Sequence, residues 1–198
     1  DTLAEQPELA ASPLLLIDDG SSEPVPGIPE AERWNRYAYH NQPAMGWISD
    51  KTYKTICIRQ PKQAEAITFL LQAALSHLSP DGKIVLYGLN DEGIRSTDRR
   101  AKELEIKAVP ILSKHHGKAW LLERNPATKL KAELSDWVKK FPVHSGAVNL
   151  KLTSYPGTFA YGKLDPGTRL LLEYLQDVEL KPDGSVLDFG AGVGTISA

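Results

Sequence analysis

Apolar and polar residues follow two rhythms along this chain, and each switch between them marks an element. Leu14-Leu15-Leu16-Ile17, closed by Asp18-Asp19-Gly20, predicts a short buried strand ending in a turn. Residues 21–32 carry Ser, Pro and Gly at turn spacing and predict a loop. Tyr53 to Ile58 predicts a second strand. From Lys62, the residues Ala66, Phe69, Leu70, Ala73, Ala74 and Leu78 recur at steps of three and four, the mark of a helix with one apolar face. Pro80-Asp81-Gly82 is expected to close it as a turn.

Lys83-Ile84-Val85-Leu86-Tyr87 is apolar without alternation, as in a parallel sheet covered on both faces. A second helix is predicted from Ile94 to Leu104. Val109 to Leu112 and Ala119 to Leu122 flank Lys114-His115-His116-Gly117-Lys118 and predict a hairpin. Leu130, Leu134, Trp137, Val138 and Phe141 predict a third helix ending at Pro142, and Val148 to Leu152 a further strand. Strand alternating with helix points to an α/β fold.

Composition narrows the class. The chain has 198 residues, 41% hydrophobic and 24% charged, which excludes a disordered or collagen-like polypeptide. No apolar run approaches the ~18 residues needed to span a bilayer, and residues 1–5 do not begin a secretory signal, so a membrane role is not expected. The single cysteine, Cys57, cannot form an internal disulfide, which suits a reducing, cytoplasmic setting. The chain has no initiator Met and stops within a motif, and reads as a fragment of something longer.

The net charge of −2 says little, but its distribution says more. Residues 1–50 hold 2 Lys/Arg against 9 Asp/Glu, residues 51–150 hold 17 against 10, and residues 151–198 hold 4 against 6. A basic middle section could meet a phosphate backbone, although most such surfaces are solvated faces. Arg95, Arg99, Arg100 and Lys114 are the candidate RNA contacts, with Lys118, Lys129 and Lys131 following.

Shifting the chain by 102 residues lays Pro80-Asp81-Gly82-Lys83-Ile84-Val85-Leu86-Tyr87-Gly88 on Pro182-Asp183-Gly184-Ser185-Val186-Leu187-Asp188-Phe189-Gly190. Both copies read as helix, Pro-Asp-Gly turn, buried strand and glycine, which suggests two copies of one α/β domain. In this register the first copy has Asn90 and Glu92 where the second has Gly192 and Gly194. A carboxylate would then stand where a backbone glycine admits a ligand, so the first copy is expected not to bind one.

Ser185 to Gly194 is a strand running into a Gly-x-Gly-x-Gly turn, with Asp188 closing the strand. Open α/β sheets bind ligands at such carboxyl ends. Thr195 stands where a dinucleotide fingerprint has its third glycine, and no Gly-Lys-Ser/Thr is present for a P-loop. Asp165, Pro166 and Thr168 look like a helix start.

Together with Pro156-Gly157-Thr158-Phe159 and Leu164-Asp165-Pro166-Gly167-Thr168-Arg169-Leu170-Leu171-Leu172, these residues resemble the S-adenosylmethionine-dependent methyltransferases of the small methyltransferase domain, and within them the small-subunit rRNA guanine-N2 enzymes. The resemblance is strong over 156–198, looser before Tyr53, and includes residues 59–62 and 88–96. It implies a Rossmann-like methyltransferase fold, with a degenerate N-terminal copy over 1–142 and the start of a cofactor-binding copy over 143–198. It further implies S-adenosylmethionine as cofactor, with Asp188, Gly190, Gly192 and Gly194 beside its methionine part. Phe159, Leu164, Asp165 and Thr168 would cover its adenosyl and sulfonium region, or, for Phe159 and Leu164, simply pack. The implied activity is methylation of a guanine amine in 16S rRNA. The Asn-Pro-Pro-aromatic motif that holds the target amine in this family does not occur here, so no catalytic residue is expected in this stretch.

Two other readings stand beside it: a non-catalytic RNA- or protein-binding module, and a nicotinamide-dependent oxidoreductase. Elsewhere the chemistry is sparse. His115 and His116 are expected in a turn rather than on a metal, since no ligand partner has suitable spacing. Cys57 is expected as packed core, and Trp34, Trp47, Trp120 and Trp137 as packing residues.

Overall fold

The computed structural model describes residues 9, 11–21, 30–37, 48, 50–125, 130, 133–178 and 184–198. The loop expected at 22–29, Trp47, Lys129, Lys131 and the Pro182-Asp183 pair lie outside the described residues. The chain divides into two compact units, residues 1–133 and 134–198.

The first unit is built on a six-stranded sheet. Its strands are β1 (Leu14–Ile17), β2 (Glu32–Trp34), β3 (Tyr53–Arg59), β4 (Leu78–Leu89), β5 (Lys107–Lys114) and β6 (Gly117–Glu123), in the order β2-β1-β3-β4-β6-β5. The first four are parallel, while β6 runs antiparallel to β4 and β5. The apolar runs of β1, β3 and β4 lie in the middle and are buried on both faces, as parallel strands require. Leu14, Leu16, Cys57, Val85 and Ala119 form one core layer with Leu9. Their neighbours Leu15, Ile17, Ile56, Ile58, Ile84 and Leu86 are fully buried too and point to the other face.

Helix α1 (Ala64–Ser76) buries nine of its thirteen residues, Leu70 and Leu75 completely. Trp34 packs edge-on against Phe69, ring centroids 6.1 Å apart. The second expected helix forms as a 3-10 turn, Ile94–Ser96, leading into α2 (Thr97–Glu103). β5 tolerates Pro110 because it is the edge strand, where one face of the backbone needs no ladder donor. His115 and His116 make the β5–β6 turn with φ of 47° and 62°, the left-handed pair that a tight two-residue hairpin demands.

Two expectations fail for identifiable reasons. Pro80-Asp81-Gly82 does not close the helix, which ends at Ser76, but bulges out within β4: Leu78 pairs with Tyr53 and Lys83 with Thr55, so the intervening residues loop away from the ladder. The third helix is absent as well. A 3-10 turn, Leu134–Trp137, is followed by β7 (Lys139–Ser145). There Phe141 and Val143 are buried while Lys140, Pro142 and His144 are exposed, a period of two rather than three to four.

β7 belongs to the second unit, where it pairs antiparallel with β8 (Val148–Ser154); the boundary expected at 142/143 falls inside it. Helix α3 (Pro166–Leu175) follows. The strand expected over 185–189 is not formed: residues 184–188 have no ladder, and Val186, Leu187 and Phe189 are 73%, 85% and 95% exposed. A parallel strand is held by neighbours at both edges and cover on both faces, and among the described residues this segment has neither.

The strand order of the first unit offers a second register beside the 102-residue shift. In a doubly wound sheet the glycine loop follows the first strand, at the point where the chain turns back across it. In the first unit the chain runs from β1 outward to β2 and returns on the other side at β3, so the switch point lies between β1 and β3. β4 is one strand beyond it. Laying the switch-point strand on the glycine segment sets Leu16-Ile17-Asp18-Asp19-Gly20 on Val186-Leu187-Asp188-Phe189-Gly190, Asp18 on Asp188 and Gly20 on Gly190. In this register Ser22 and Pro24 stand for Gly192 and Gly194.

Candidate cofactor loop and its filled counterpart

In the second unit, Gly190, Gly192 and Gly194 have φ of 77°, 60° and 75°, values that side chains other than glycine adopt only with strain. The amide of Gly194 donates to the Ala191 carbonyl at 2.8 Å, folding residues 191–194 into a tight turn. A Cβ on Gly190 would meet nothing within 4 Å, and one on Gly192 only a backbone oxygen at 3.9 Å. The loop is thus open on the side where a ligand would lie. Asp188 is half-buried, and its Oδ2 is shut from solvent with no hydrogen-bond partner among the described residues. The orphaned carboxylate oxygen beside the glycine turn is an acceptor that an amine or hydroxyl-bearing ligand would satisfy.

Asp165 caps α3: its Oδ2 accepts from the Thr168 amide at 3.0 Å and from the Thr168 hydroxyl at 3.4 Å, with Pro166 in the first turn. Leu164 is half-buried, and Phe159 is 72% exposed at the tip of the 155–164 loop. That loop is anchored at its base. Buried Ser154 Oγ accepts from the Gly162 amide at 2.9 Å and donates to the Lys139 carbonyl at 3.4 Å. The Tyr161 hydroxyl donates to the Trp137 carbonyl, and Lys139 Nζ lies 4.1 Å above the Tyr161 ring. Sequence reasoning did not find this brace, because it joins three segments by contacts without a periodic signature.

In the first unit the carboxyl ends of β1 and β3 are occupied by ion pairs. The Asp18 carboxylate accepts from the Arg36 amide at 2.9 Å and from its guanidinium Nε at 2.7 Å, with both side chains at least nine-tenths buried. Asp19 pairs with Arg33 at 3.2 Å. At the end of β3, Arg59 makes a two-pronged pair with Glu92, at 2.5 and 2.9 Å, and Glu92 also accepts from the Leu89 amide. Burial would raise the Glu92 carboxyl. The Arg59 and Leu89 hydrogen bonds, with the charges of Arg59 and Lys62, outweigh it and hold the carboxyl below the ordinary range. Gly88, by contrast, is required by packing: a Cβ there would lie 2.5 Å from the Gln60 Cβ.

The four basic residues singled out in the sequence do not form one cluster of like surroundings. Arg100 donates to Ser96 Oγ and the Ala64 carbonyl, Arg99 pairs with Glu103 at 3.9 Å, and Arg95 is exposed. Lys114 instead borders a cavity with Arg59 and Lys118. Cys57 is 2% exposed, and burial pushes its thiol up to about 12, as for packed core. Among the described residues no group of three or more His, Cys, Asp or Glu could hold a metal ion, and no helix is long and apolar enough to cross a membrane.

The chain is 33% identical over 151 residues to Ribosomal RNA small subunit methyltransferase C of Acinetobacter baylyi, covering 75% of the chain and 43% of that protein. It is 34% identical over 145 residues to the protein of the same name from Psychromonas ingrahamii, covering 73% and 40%. The chain therefore spans less than half the length of these relatives. A solved T. thermophilus 16S rRNA N2 methyltransferase, in complex with AdoMet and guanosine, shares the fold with a TM-score of 0.57 at 20% identity, over 89% of this chain and 52% of that one. The family model for the N-terminal part of the methyltransferase small domain matches residues 30–141, and the model for the methyltransferase small domain itself matches residues 149–198. With more than half the chain matched by the first of these alone, the protein belongs to the small methyltransferase domain family.

Proposed function

We propose that the whole protein is an S-adenosylmethionine-dependent methyltransferase acting on the exocyclic amine of a guanine in 16S rRNA, and that this stretch carries its RNA-orienting domain and half of its cofactor site. The observation that carries the cofactor assignment is the open turn at Gly190, Gly192 and Gly194 beside the orphaned Asp188 Oδ2. The substrate class follows from the relatives, which are named as ribosomal RNA small subunit methyltransferases.

The cofactor supplies an activated methyl group on a sulfonium with its leaving group built in, so the protein's task is positioning. Asp188 would accept a hydrogen bond from the ammonium of the methionine part, while the glycine turn lets backbone approach it closely. The braced 155–164 loop holds Phe159 and Leu164 where they can cover the adenosyl group and keep water out. Exposed Leu170, Leu171 and Tyr174 on α3, with Val186, Leu187 and Phe189, offer an apolar surface that further elements of the same domain would bury. In the first unit, the ion pair of Asp18 and Arg36 occupies the carboxyl end of β1, so it serves RNA rather than cofactor.

Titration of the full-length protein with labelled S-adenosylmethionine and with NAD tests the reading. Saturable binding of the first, abolished by Gly192→Val, is expected; tight NAD binding in its place would overturn it.

A further inference from the structure

The second unit carries a basic sheet face that no part of the cofactor loop uses. From Trp137 to Leu164 the chain holds Lys139, Lys140, Lys151 and Lys163 and no Asp or Glu, although 25 of its 198 residues are acidic. The β7–β8 ribbon lies within that stretch and sorts its residues by face. Phe141 pairs with Leu152 and Val143 with Leu150 on the inner face, where Phe141 and Val143 are buried. Lys140 pairs with Thr153, Pro142 with Lys151 and His144 with Asn149 on the outer face, and all six are exposed.

The outer face is polar and its charge is of one sign. Lys140 and Lys151 are diagonal neighbours, roughly 7–8 Å apart across the strands. Neither makes a side-chain hydrogen bond or ion pair among the described residues, and two cations held side by side favour an anionic partner. His144 Nδ1 and Asn149 Oδ1 are hydrogen-bonded across the same two strands. No Phe, Tyr or Trp stands on this face, so it has no platform for unstacked bases. Lysines and a proline on an edge also turn away an added strand, so a protein partner that extends the sheet does not fit.

The inner face ties the ribbon to the cofactor side of the unit. Lys139 and Ser154 pair there; Ser154 Oγ accepts from the Gly162 amide, and Lys139 Nζ lies over the Tyr161 ring. The 155–164 loop that presents Phe159 is thus fastened to the back of the ribbon whose front is basic.

We propose that the outer face of β7–β8 grips the backbone of double-stranded RNA, with Lys140 and Lys151 on phosphates and Asn149 and Thr153 meeting 2′-hydroxyls in the wide, shallow minor groove. This rests on the RNA-substrate reading above and adds to it an RNA contact on the cofactor-binding unit itself, one that fixes the substrate relative to the 155–164 loop.

Affinity of the full-length protein for a labelled RNA duplex, measured across a salt series, tests the face. Lys140→Gln/Lys151→Gln is expected to weaken binding about tenfold and to lower the salt slope by roughly two, one per phosphate contact. Lys140→Glu/Lys151→Glu is expected to weaken it further. If the lysines served only to protect a strand edge, either sign of charge would do, so affinity unaltered in either double variant overturns the site. A loss from Lys54→Glu, an exposed lysine of the first unit, as large as that from Lys151→Glu would mean net charge alone and overturns it too. An equal loss on single-stranded RNA overturns the duplex assignment. S-adenosylmethionine affinity, followed in parallel, is expected to stay constant in all variants. Its absence in the unsubstituted protein would overturn the methyltransferase reading while the RNA measurement still decides the ribbon.

Discussion

Glu92 is held by two neighbours rather than facing an open crevice. Its carboxylate does close a glycine-containing turn, but it does so from the end of β4, held by Arg59 on β3 and by the Leu89 amide. Because its folded-state carboxyl lies below the ordinary value, the stabilisation is present above the unfolded value of ~4.3 and is lost as pH falls through the folded one. Glu92→Gln is therefore expected to cost about 1–2 kcal/mol at pH 7 in urea unfolding, with the difference from the unsubstituted protein vanishing in the acid range below the folded value. A pH-independent difference would instead mean a packing effect. Asp18 was legible only as a turn residue. Its counterpart relation to Asp188 rests on Asp-x-Gly, two identities too short to recognise without the strand order.

The elements differ in what holds them. α1 is fixed by burial, so its periodicity revealed it, although Leu78, the last of the expected apolar positions, begins β4. α3 has ten residues and buries none of them, and a helix that short is marginal in water on propensity alone. Its cap matters correspondingly: Asp165→Ala is expected to destabilise α3 by about 1 kcal/mol, read as faster hydrogen exchange at residues 168–175 with the sheet of the first unit unaffected. The hairpin β7–β8 and the loop beyond it form a second kind of element, joined by polar contacts. Ser154→Ala leaves the Gly162 amide unpaired in a half-buried site and is expected to cost about 1–2 kcal/mol in the second unit. It should also weaken S-adenosylmethionine binding, measured by titration, since Phe159 rides on that loop. Equal cofactor affinity in Ser154→Ala would separate the brace from the cofactor.

For the whole molecule, the two units present different chemistry at the ends of their strands. In the first unit Asp18 pairs with Arg36 and Asp19 with Arg33, whereas in the second no neighbouring atom lies within 4 Å of a Cβ built on Gly190. Titration of the full-length protein is accordingly expected to saturate at one equivalent of S-adenosylmethionine per chain, and two equivalents would show that the first unit still binds. The sequence by itself determined the α/β class, the central strands, α1, the β5–β6 hairpin, the α3 cap and the glycine turn. Each of these depends on local chemistry: continuous apolar runs, three- and four-residue spacing, a capping carboxylate, glycines at positive φ. Tertiary structure alone decided that Pro80-Asp81-Gly82 bulges within a strand, that Phe141 lies in β7, and that β1 rather than β4 stands at the switch point. Those outcomes depend on which strands lie side by side, a property of pairing between distant residues that no single stretch of chain carries.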